Sequence, residues 1–236
     1  MKMFLKRLKW IILIGVLFIA GAYVYDMFHE YQEQKRAEEN IIKVACVGDS
    51  NTYHYGGNDV KELNYSYHLS KLLGDKYKVK NYGMPGTCVQ SDLESPYIAT
   101  RAYKASVDIE ADIIIIMLGT NDVWNAGWRE ENIFYKYYID LIDSYLQTDN
   151  KPEIYLCTIP ALFVEDNDLF GYNLQEKVNK VNEIILKIST ERDYEIIDVY
   201  ACTSQNKEWY EDDGIHLNTE AARELSEVIF WSIKEE

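Results

Sequence analysis

The most informative run of the chain is DIIIIML, residues 112–118. Its four consecutive isoleucines leave no polar face, which is typical of a strand covered on both sides in a parallel sheet. Segments of helical periodicity separate it from similar apolar runs, and this alternation predicts an α/β domain with a five-stranded parallel sheet centred on the isoleucines. The other predicted strands are Ile41 to Val47, Tyr77 to Tyr82, Glu153 to Ile159 and Tyr194 to Val199.

Helices are predicted where apolar residues recur at intervals of three and four. One such pattern runs from Phe134 to Tyr145 and a second from Val178 to Ile188, and each can bury one stripe against the sheet. A last helix is expected after Asn218, whose side chain can cap its first turn. Residues 41–236 show neither an internal repeat nor a domain boundary, so we expect them to form one domain.

The first 28 residues differ in composition from the rest and are interpreted as a membrane anchor or a signal segment. Basic residues precede a nearly uncharged run, residues 10–25, which is about long enough for a tilted transmembrane helix. The positive flank predicts a single-pass cell-membrane protein with an extracytoplasmic domain. The alternative is secretion after cleavage, because the AGA of residues 20–22 has the form of a signal-peptidase site. Polar residues 29–40 are predicted to be a stalk.

The charge of the chain argues against a nucleic-acid partner. Its net charge is −15, and the first thirty residues carry four basic and two acidic side chains, which leaves −17 on the remainder. A surface of this sign repels polyanions, whereas nucleic-acid binding requires a basic patch. An uncharged small-molecule, glycan or lipid substrate fits this composition better.

Four short motifs follow the carboxyl ends of predicted strands. They are GDSN (residues 48–51), NYGMPG (81–86), GTND (119–122) and DGIH (213–216). The loops at the carboxyl ends of parallel strands converge on one edge of a sheet, where ligands bind. We therefore expect the side chains of the four motifs to meet in one crevice.

The residue types in these motifs predict a serine nucleophile with a general base. Ser50 follows a strand directly, and His216 can take a hydroxyl proton near neutral pH. Asp213, three residues earlier, can orient the imidazole of His216, with Asp212 as the alternative carboxylate. The backbone N–H of Gly86 and the amide of Asn121 can donate to the oxygen of a tetrahedral intermediate.

Further residues near these motifs are candidates for contact with the substrate. His54 lies close to the nucleophile in the sequence, and Trp124 and Trp128 follow the third motif. Aromatic side chains can pack against a sugar ring or cover an acyl group, although packing within the protein explains them equally well.

The four motifs make residues 41–234 resemble the SGNH hydrolases of the GDSL esterase and lipase superfamily. The resemblance implies a three-layer, flavodoxin-like α/β/α sandwich that uses no metal or organic cofactor. It also implies a triad of Ser50, His216 and Asp213, and an oxyanion hole made by Ser50, Gly86 and Asn121. Gly83 is the alternative glycine. Asn51 stands where the name-giving motif has leucine, as is common in carbohydrate-esterase-like branches.

The function predicted from these features is hydrolysis of small acyl esters, acetyl esters in particular, on a glycan or related extracytoplasmic substrate. Two other enzyme classes can use the same triad. One is a lipid-directed esterase, lysophospholipase or thioesterase, and the other is an O-acetyltransferase. A glycan-binding protein without activity is disfavoured, because it would be expected to have lost one of Ser50, Asn121 and His216.

Overall fold

Five parallel strands form one sheet in the order β2-β1-β3-β4-β5. The computed structural model describes residues 20–32, 40–54, 63–124, 130–164 and 174–234. This strand order is that of flavodoxin-like folds, and all five predicted strands are confirmed. The strands are Ile42–Gly48 (β1), Tyr77–Gly83 (β2), Ile113–Met117 (β3), Glu153–Cys157 (β4) and Glu195–Ile197 (β5).

The last strand is shorter than predicted, because a helix starts where the apolar run continues. The side chain of Asp198 accepts the backbone N–H of Ala201 at 3.0 Å and caps this helix. Val199 therefore belongs to the helix, and the pairing of β5 with β4 ends at Ile197.

Helices connect the strands and are numbered in chain order. Helix α1 covers residues 20–32. The predicted helices around Phe134, around Val178 and after Asn218 are confirmed as α6, α7 and α9. The bounds are α2 (Ser50–Tyr53), α3 (Tyr65–Leu73), α4 (Arg101–Asp108), α5 (Thr120–Trp124), α6 (Glu131–Leu146), α7 (Leu174–Arg192), α8 (Val199–Thr203) and α9 (Thr219–Lys234).

Both faces of the sheet are covered, as the isoleucine run predicts. Alternate side chains of a strand point to opposite faces, so β3 contributes to two cores. Ile114 and Ile116 belong to the core that contains residues of α6 and α7. Ile113 and Ile115 belong to the core that contains residues of α3 and α9. The domain thus has three layers, with the sheet in the middle.

Strands β1 and β3 are neighbours although β2 lies between them in the sequence. The connection after β1 runs toward one edge of the sheet, and the connection after β3 runs toward the other edge. Where connections diverge in this way, a crevice forms at the carboxyl ends of the two strands. β1 ends at Gly48 and β3 at Met117. The GDSN and GTND motifs therefore begin on the two sides of this crevice.

The chain divides into two units, Met1–Ile41 and Ile42–Glu236. Among the described residues there is no helix with the length and apolar character needed to span a membrane, so the predicted transmembrane helix is not supported. Residues 1–19 and 33–39 lie outside the described residues, and they hold much of the predicted anchor and most of the predicted stalk.

Candidate active site

Ser50 is the first residue of α2, directly after the turn that ends β1. The side chain of Asp49 accepts the backbone N–H of Asn51 at 3.0 Å, which caps the helix at this point. Gly48 allows the tight turn, because a Cβ there would lie 1.9 Å from Thr52 Oγ1. The sequence around Ser50 therefore fixes the hydroxyl at the carboxyl end of β1, largely buried with 6% of the residue exposed.

His216 connects Ser50 to Asp213. Its Nε2 lies 3.0 Å from Ser50 Oγ, and its Nδ1 lies 2.5 Å from Asp213 Oδ2. The other carboxylate oxygen of Asp213 accepts the backbone N–H groups of Ile215 at 2.8 Å and His216 at 2.9 Å. Burial acts to raise the pKa of Asp213, but the hydrogen bonds from His216 and Ile215 outweigh it and hold the pKa below its usual value. Asp212 is exposed, and the carboxylate beside His216 is that of Asp213.

The loop that carries His216, residues 211–217, is closed by its own backbone, and we call it the base loop. The carbonyl of His216 accepts the N–H of Glu211 at 2.8 Å, and the carbonyl of Glu211 accepts the N–H of Gly214 at 2.9 Å. Gly214 has a φ of +67°, and a Cβ there would lie 2.6 Å from the carbonyl oxygen of Phe163. Glycine is therefore required by both conformation and space.

Asn121 and Gly86 lie on adjoining segments. The amide Nδ2 of Asn121 donates to the carbonyl of Thr87 at 3.1 Å, and among the described residues no other group accepts from it, so its second N–H can donate to a ligand. Gly86 has a φ of +74°, and its N–H has no protein acceptor within the described ranges. The N–H of Gly83 already donates to Asn81 Oδ1 at 2.9 Å. Of the two candidate glycines, Gly86 is the one whose N–H is available.

Asp122 is a buried carboxylate whose role the motifs do not reveal. Its oxygens accept the N–H of Val89 at 2.9 Å and the N–H of Gln90 at 3.0 Å. Burial raises its pKa to about 7, although these N–H groups favour the charged form. Asp122 thus holds residues 84–90, which we call the oxyanion loop, against α5. The only signal in the sequence is an acidic residue next to Asn121, at the end of an apolar strand.

The three predicted substrate contacts lie in different surroundings. His54 follows α2 and is 8% exposed, and its backbone N–H donates to the carbonyl of Ser50 at 2.8 Å. Its φ of 74° is uncommon for a residue other than glycine, and burial lowers the pKa of its imidazole. Trp124 is half-buried at the end of α5. Trp128 lies outside the described residues.

The arrangement contains the groups that acyl transfer requires. A hydroxyl, an imidazole and a carboxylate in series can activate an alcohol as a nucleophile, and amide N–H groups can stabilise an oxyanion. Over the part of the chain that the structure describes, no cluster of three or more His, Cys, Asp or Glu side chains could hold a metal ion.

Two curated relatives are similar to this chain in sequence, and solved structures are similar to it in fold. An acetylxylan esterase of Xylanibacter ruminicola is 29% identical over 217 residues, which cover 84% of this chain and 44% of the relative. A multidomain esterase of Ruminococcus flavefaciens is 26% identical over 203 residues, which cover 82% of this chain and 24% of the relative. The chain thus spans less than half the length of these relatives. A carbohydrate acetylesterase from Sinorhizobium meliloti has the same fold, with a TM-score of 0.67, 19% identity, and coverage of 82% of this chain and 99% of that one.

The model of the GDSL-like lipase/acylhydrolase family matches residues 46–223. The matched region starts within β1, ends within α9 and contains all four motifs. The chain belongs to the GDSL-like lipase/acylhydrolase family, in agreement with its resemblance to the SGNH hydrolases.

Proposed function

We propose that the protein is a serine esterase that removes small acyl groups, acetyl in particular, from a glycan or related extracytoplasmic substrate. One observation carries the proposal, the continuous contact from Ser50 Oγ to His216 Nε2 at 3.0 Å and from His216 Nδ1 to Asp213 at 2.5 Å. Both distances are within the range over which a proton is shared or transferred. Ser50 is the proposed nucleophile, His216 the base, and Asp213 the group that orients it.

In the acylation step, Ser50 Oγ attacks the carbonyl carbon of the ester while its proton passes to His216 Nε2. The carbonyl oxygen becomes an oxyanion that accepts hydrogen bonds from the N–H groups of Ser50 and Gly86 and from the amide of Asn121. The C–O bond to the sugar breaks as His216 returns the proton to the departing alcohol. Asp213 keeps Nδ1 protonated, so that Nε2 faces the reacting oxygen.

In the deacylation step, water replaces the sugar alcohol. His216 removes a proton from the water as its oxygen attacks the acyl carbon, and the same N–H groups stabilise the second oxyanion. The bond to Ser50 Oγ then breaks, Oγ regains the proton from His216, and the carboxylic acid leaves. The free hydroxyl of Ser50 is restored for the next cycle.

A glycan substrate is supported by the comparisons with known esterases and by the negative net charge of the chain. The relatives named above include an acetylxylan esterase, and a solved structure with the same fold is a carbohydrate acetylesterase. The strongly acidic chain suits an uncharged ester better than a polyanion. A small acyl group is proposed because the relative with the highest identity given above removes acetyl groups from xylan, as its name states.

The proposed location is the outer side of the cell membrane, with the N-terminal segment as a single-pass anchor. Secretion after cleavage is the alternative. The basic residues before the apolar run support export, and α1 exposes Tyr23, Tyr25 and Phe28 at 67%, 66% and 60%, an apolar surface suited to a membrane interface. Carbonate extraction and protease digestion of intact cells test this. A full-length protein found in the carbonate supernatant and protected from the protease would contradict both locations.

The activity is tested with nitrophenyl esters of increasing chain length and with acetylated xylan. We expect acetate to be preferred over octanoate, release of acetate from the xylan, and no turnover by Ser50→Ala. A preference for octanoate would favour the lipid-directed class instead. Transfer of the acetyl group to an added acceptor glycan, in place of free acetate, would favour the O-acetyltransferase class.

A fluorophosphonate probe tests the nucleophile directly. The labelled peptide is expected to contain Ser50 in the wild-type protein, and labelling is expected to be lost in His216→Ala. Labelling of another residue, or its persistence without the imidazole, would contradict the proposed mechanism.

A further inference from the structure

Asn51 directly follows Ser50 and occupies the position of the leucine in the family's name. We propose that its side-chain amide is a positioning residue that holds His216 at the distance from Ser50 that proton transfer requires. This inference rests on the proposed function, because it assigns a role within the same Ser50–His216 pair.

The amide of Asn51 binds the backbone on both sides of His216. Its Oδ1 accepts the N–H of Leu217 at 2.9 Å, and its Nδ2 donates to the carbonyl of Ile215 in a longer bond of 3.4 Å. Asn51 and Leu217 are only 6% and 4% exposed. Water therefore cannot readily replace these bonds when the amide is removed.

The other bonds of the base loop act differently. Those of Glu211 and Asp213 join residues within the loop and fix its shape. The N–H of Phe163 donates to the carbonyl of Gly214 at 2.8 Å and ties the loop to the segment after β4. The amide of Asn51 ties the loop to α2, the helix that carries the nucleophile, so one helical turn positions both partners of the proton transfer.

Asn51 is itself held in place. Its backbone N–H donates to the capping carboxylate of Asp49 at 3.0 Å, which fixes its backbone directly after Ser50. Leucine at this position can fill the space but can neither accept the N–H of Leu217 nor donate to Ile215. In this chain the departure from the family name thus adds a polar connection between the nucleophile and the base.

The test compares Asn51→Leu and Asn51→Asp with the wild-type enzyme on nitrophenyl acetate. A small displacement of a catalytic group costs on the order of 100-fold in rate, so we expect Asn51→Leu to lose about that factor in kcat with KM unchanged. The rate at which a fluorophosphonate labels Ser50 should fall by the same factor, because it depends on the same proton transfer.

Asn51→Asp keeps an acceptor for Leu217 and is expected to recover part of the lost rate. KM should stay unchanged in both variants, so that the loss in Asn51→Leu and the partial rescue in Asn51→Asp both appear in kcat, an effect that a purely structural role of Asn51 would not produce. If Asn51→Leu fails to fold, the kcat of Asn51→Asp decides the question: it should lie below that of the wild-type enzyme, because a carboxylate cannot donate to the carbonyl of Ile215.

Ile188→Val serves as the control for a general loss of stability, because Ile188 is buried in α7 and is part of neither loop. It should keep the wild-type kcat. The positioning role is overturned if Asn51→Leu is labelled at the wild-type rate, if Ile188→Val loses kcat to the same extent, or if Asn51→Asp keeps the full wild-type kcat. A wild-type protein that is not labelled at Ser50 would instead overturn the proposed function, and the positioning role with it.

Discussion

The base loop and the oxyanion loop lie at the same edge of the sheet, but the aspartates that support them act over different distances along the chain. Asp213 orients His216 from three positions earlier in the same loop. The oxyanion loop depends on Asp122, which is 33 residues from Val89 and 32 from Gln90. The comparison shows that a catalytic motif is recognisable in a sequence when its supporting contacts are local. Support from a distant part of the chain is visible only in the fold.

The largest effect is expected from removing the imidazole of His216, the proposed base. Without the imidazole, Ser50 has no proton acceptor, so His216→Ala should lower kcat by a factor on the order of 10⁶. The measurement is kcat on nitrophenyl acetate with His29→Ala as the control, since His29 belongs to α1 in the other unit. A variant that retains more than about a hundredth of the activity would show that another group acts as the base.

The next effect distinguishes the two adjacent carboxylates of the base loop. Asp213→Asn should lower kcat by about 10⁴, because an amide cannot keep the imidazole in the required tautomer. Asp212→Asn should leave kcat unchanged, because Asp212 is exposed and the carboxylate bonded to His216 is that of Asp213. The two variants remove the same charge and so form a matched pair. Equal losses in both would contradict the assignment of Asp213.

For the oxyanion loop, Asp122→Asn is the matching test. The NH2 of the new amide would face the N–H of Val89 or of Gln90 and cannot accept it. The oxyanion loop, which carries Gly86, should therefore shift. Loss of an oxyanion donor typically costs about 10² to 10³ in kcat, and we expect a loss of that order with little change in KM. Asp108→Asn, an exposed site on α4, is the control. A normal kcat in Asp122→Asn would mean that the loop keeps its shape without the carboxylate.

The two glycines of the NYGMPG motif, Gly83 and Gly86, should respond differently to alanine. A Cβ at Gly83 would lie 2.3 Å from the backbone nitrogen of Tyr53, so Gly83→Ala forces the backbone to move and should cost about 1–3 kcal/mol in the free energy of unfolding. Gly86 has open space, and its φ of +74° should cost Gly86→Ala only about 1–2 kcal/mol. Urea unfolding measures both. The reverse order would contradict the close approach at Gly83.

The smallest effect concerns the pH dependence of stability. Burial raises the pKa of Asp49 to about 6 and that of Asp122 to about 7, from a usual value of 3.8. Between the usual and the raised pKa the folded state binds protons that the unfolded state has lost, so the contribution of these groups to stability falls as pH rises from about 4 to about 7. Asp213, whose pKa is lowered, acts oppositely, because its contribution is lost only as the pH falls below its usual range.

Asp122→Asn removes one of the two raised carboxyl groups. The urea midpoint measured between pH 5 and pH 7 should therefore decline less steeply in this variant than in the wild-type protein. The same slope in both proteins would show that Asp122 does not bind a proton in this range.

The same distinction between local patterns and distant contacts decides which strands and helices could be predicted from the sequence. The five strands could be predicted because each is an apolar run, and α6, α7 and α9 because apolar side chains recur along them. Helix α4 was not predicted, because the residues that it packs against the core are few and only partly buried, and its one fully buried residue, Ser106, is polar. Its start is set by Thr100, whose side chain accepts the N–H of Tyr103 at 3.0 Å.

The amino-acid sequence alone established the α/β class and the sheet, and it predicted Ser50 and His216, with Asp213 or Asp212, as the reacting groups, because these depend on hydrophobic patterns and on motifs a few residues long. Only the folded chain determined that His216 reaches Ser50, that Asp213 rather than Asp212 contacts it, and that Gly86 has the available N–H. It also revealed the supporting roles of Asp122 and Asn51. The bonds of His216 to Ser50, of Asp122 to Val89 and of Asn51 to Leu217 join residues far apart in the chain, and such bonds have no counterpart in a local pattern.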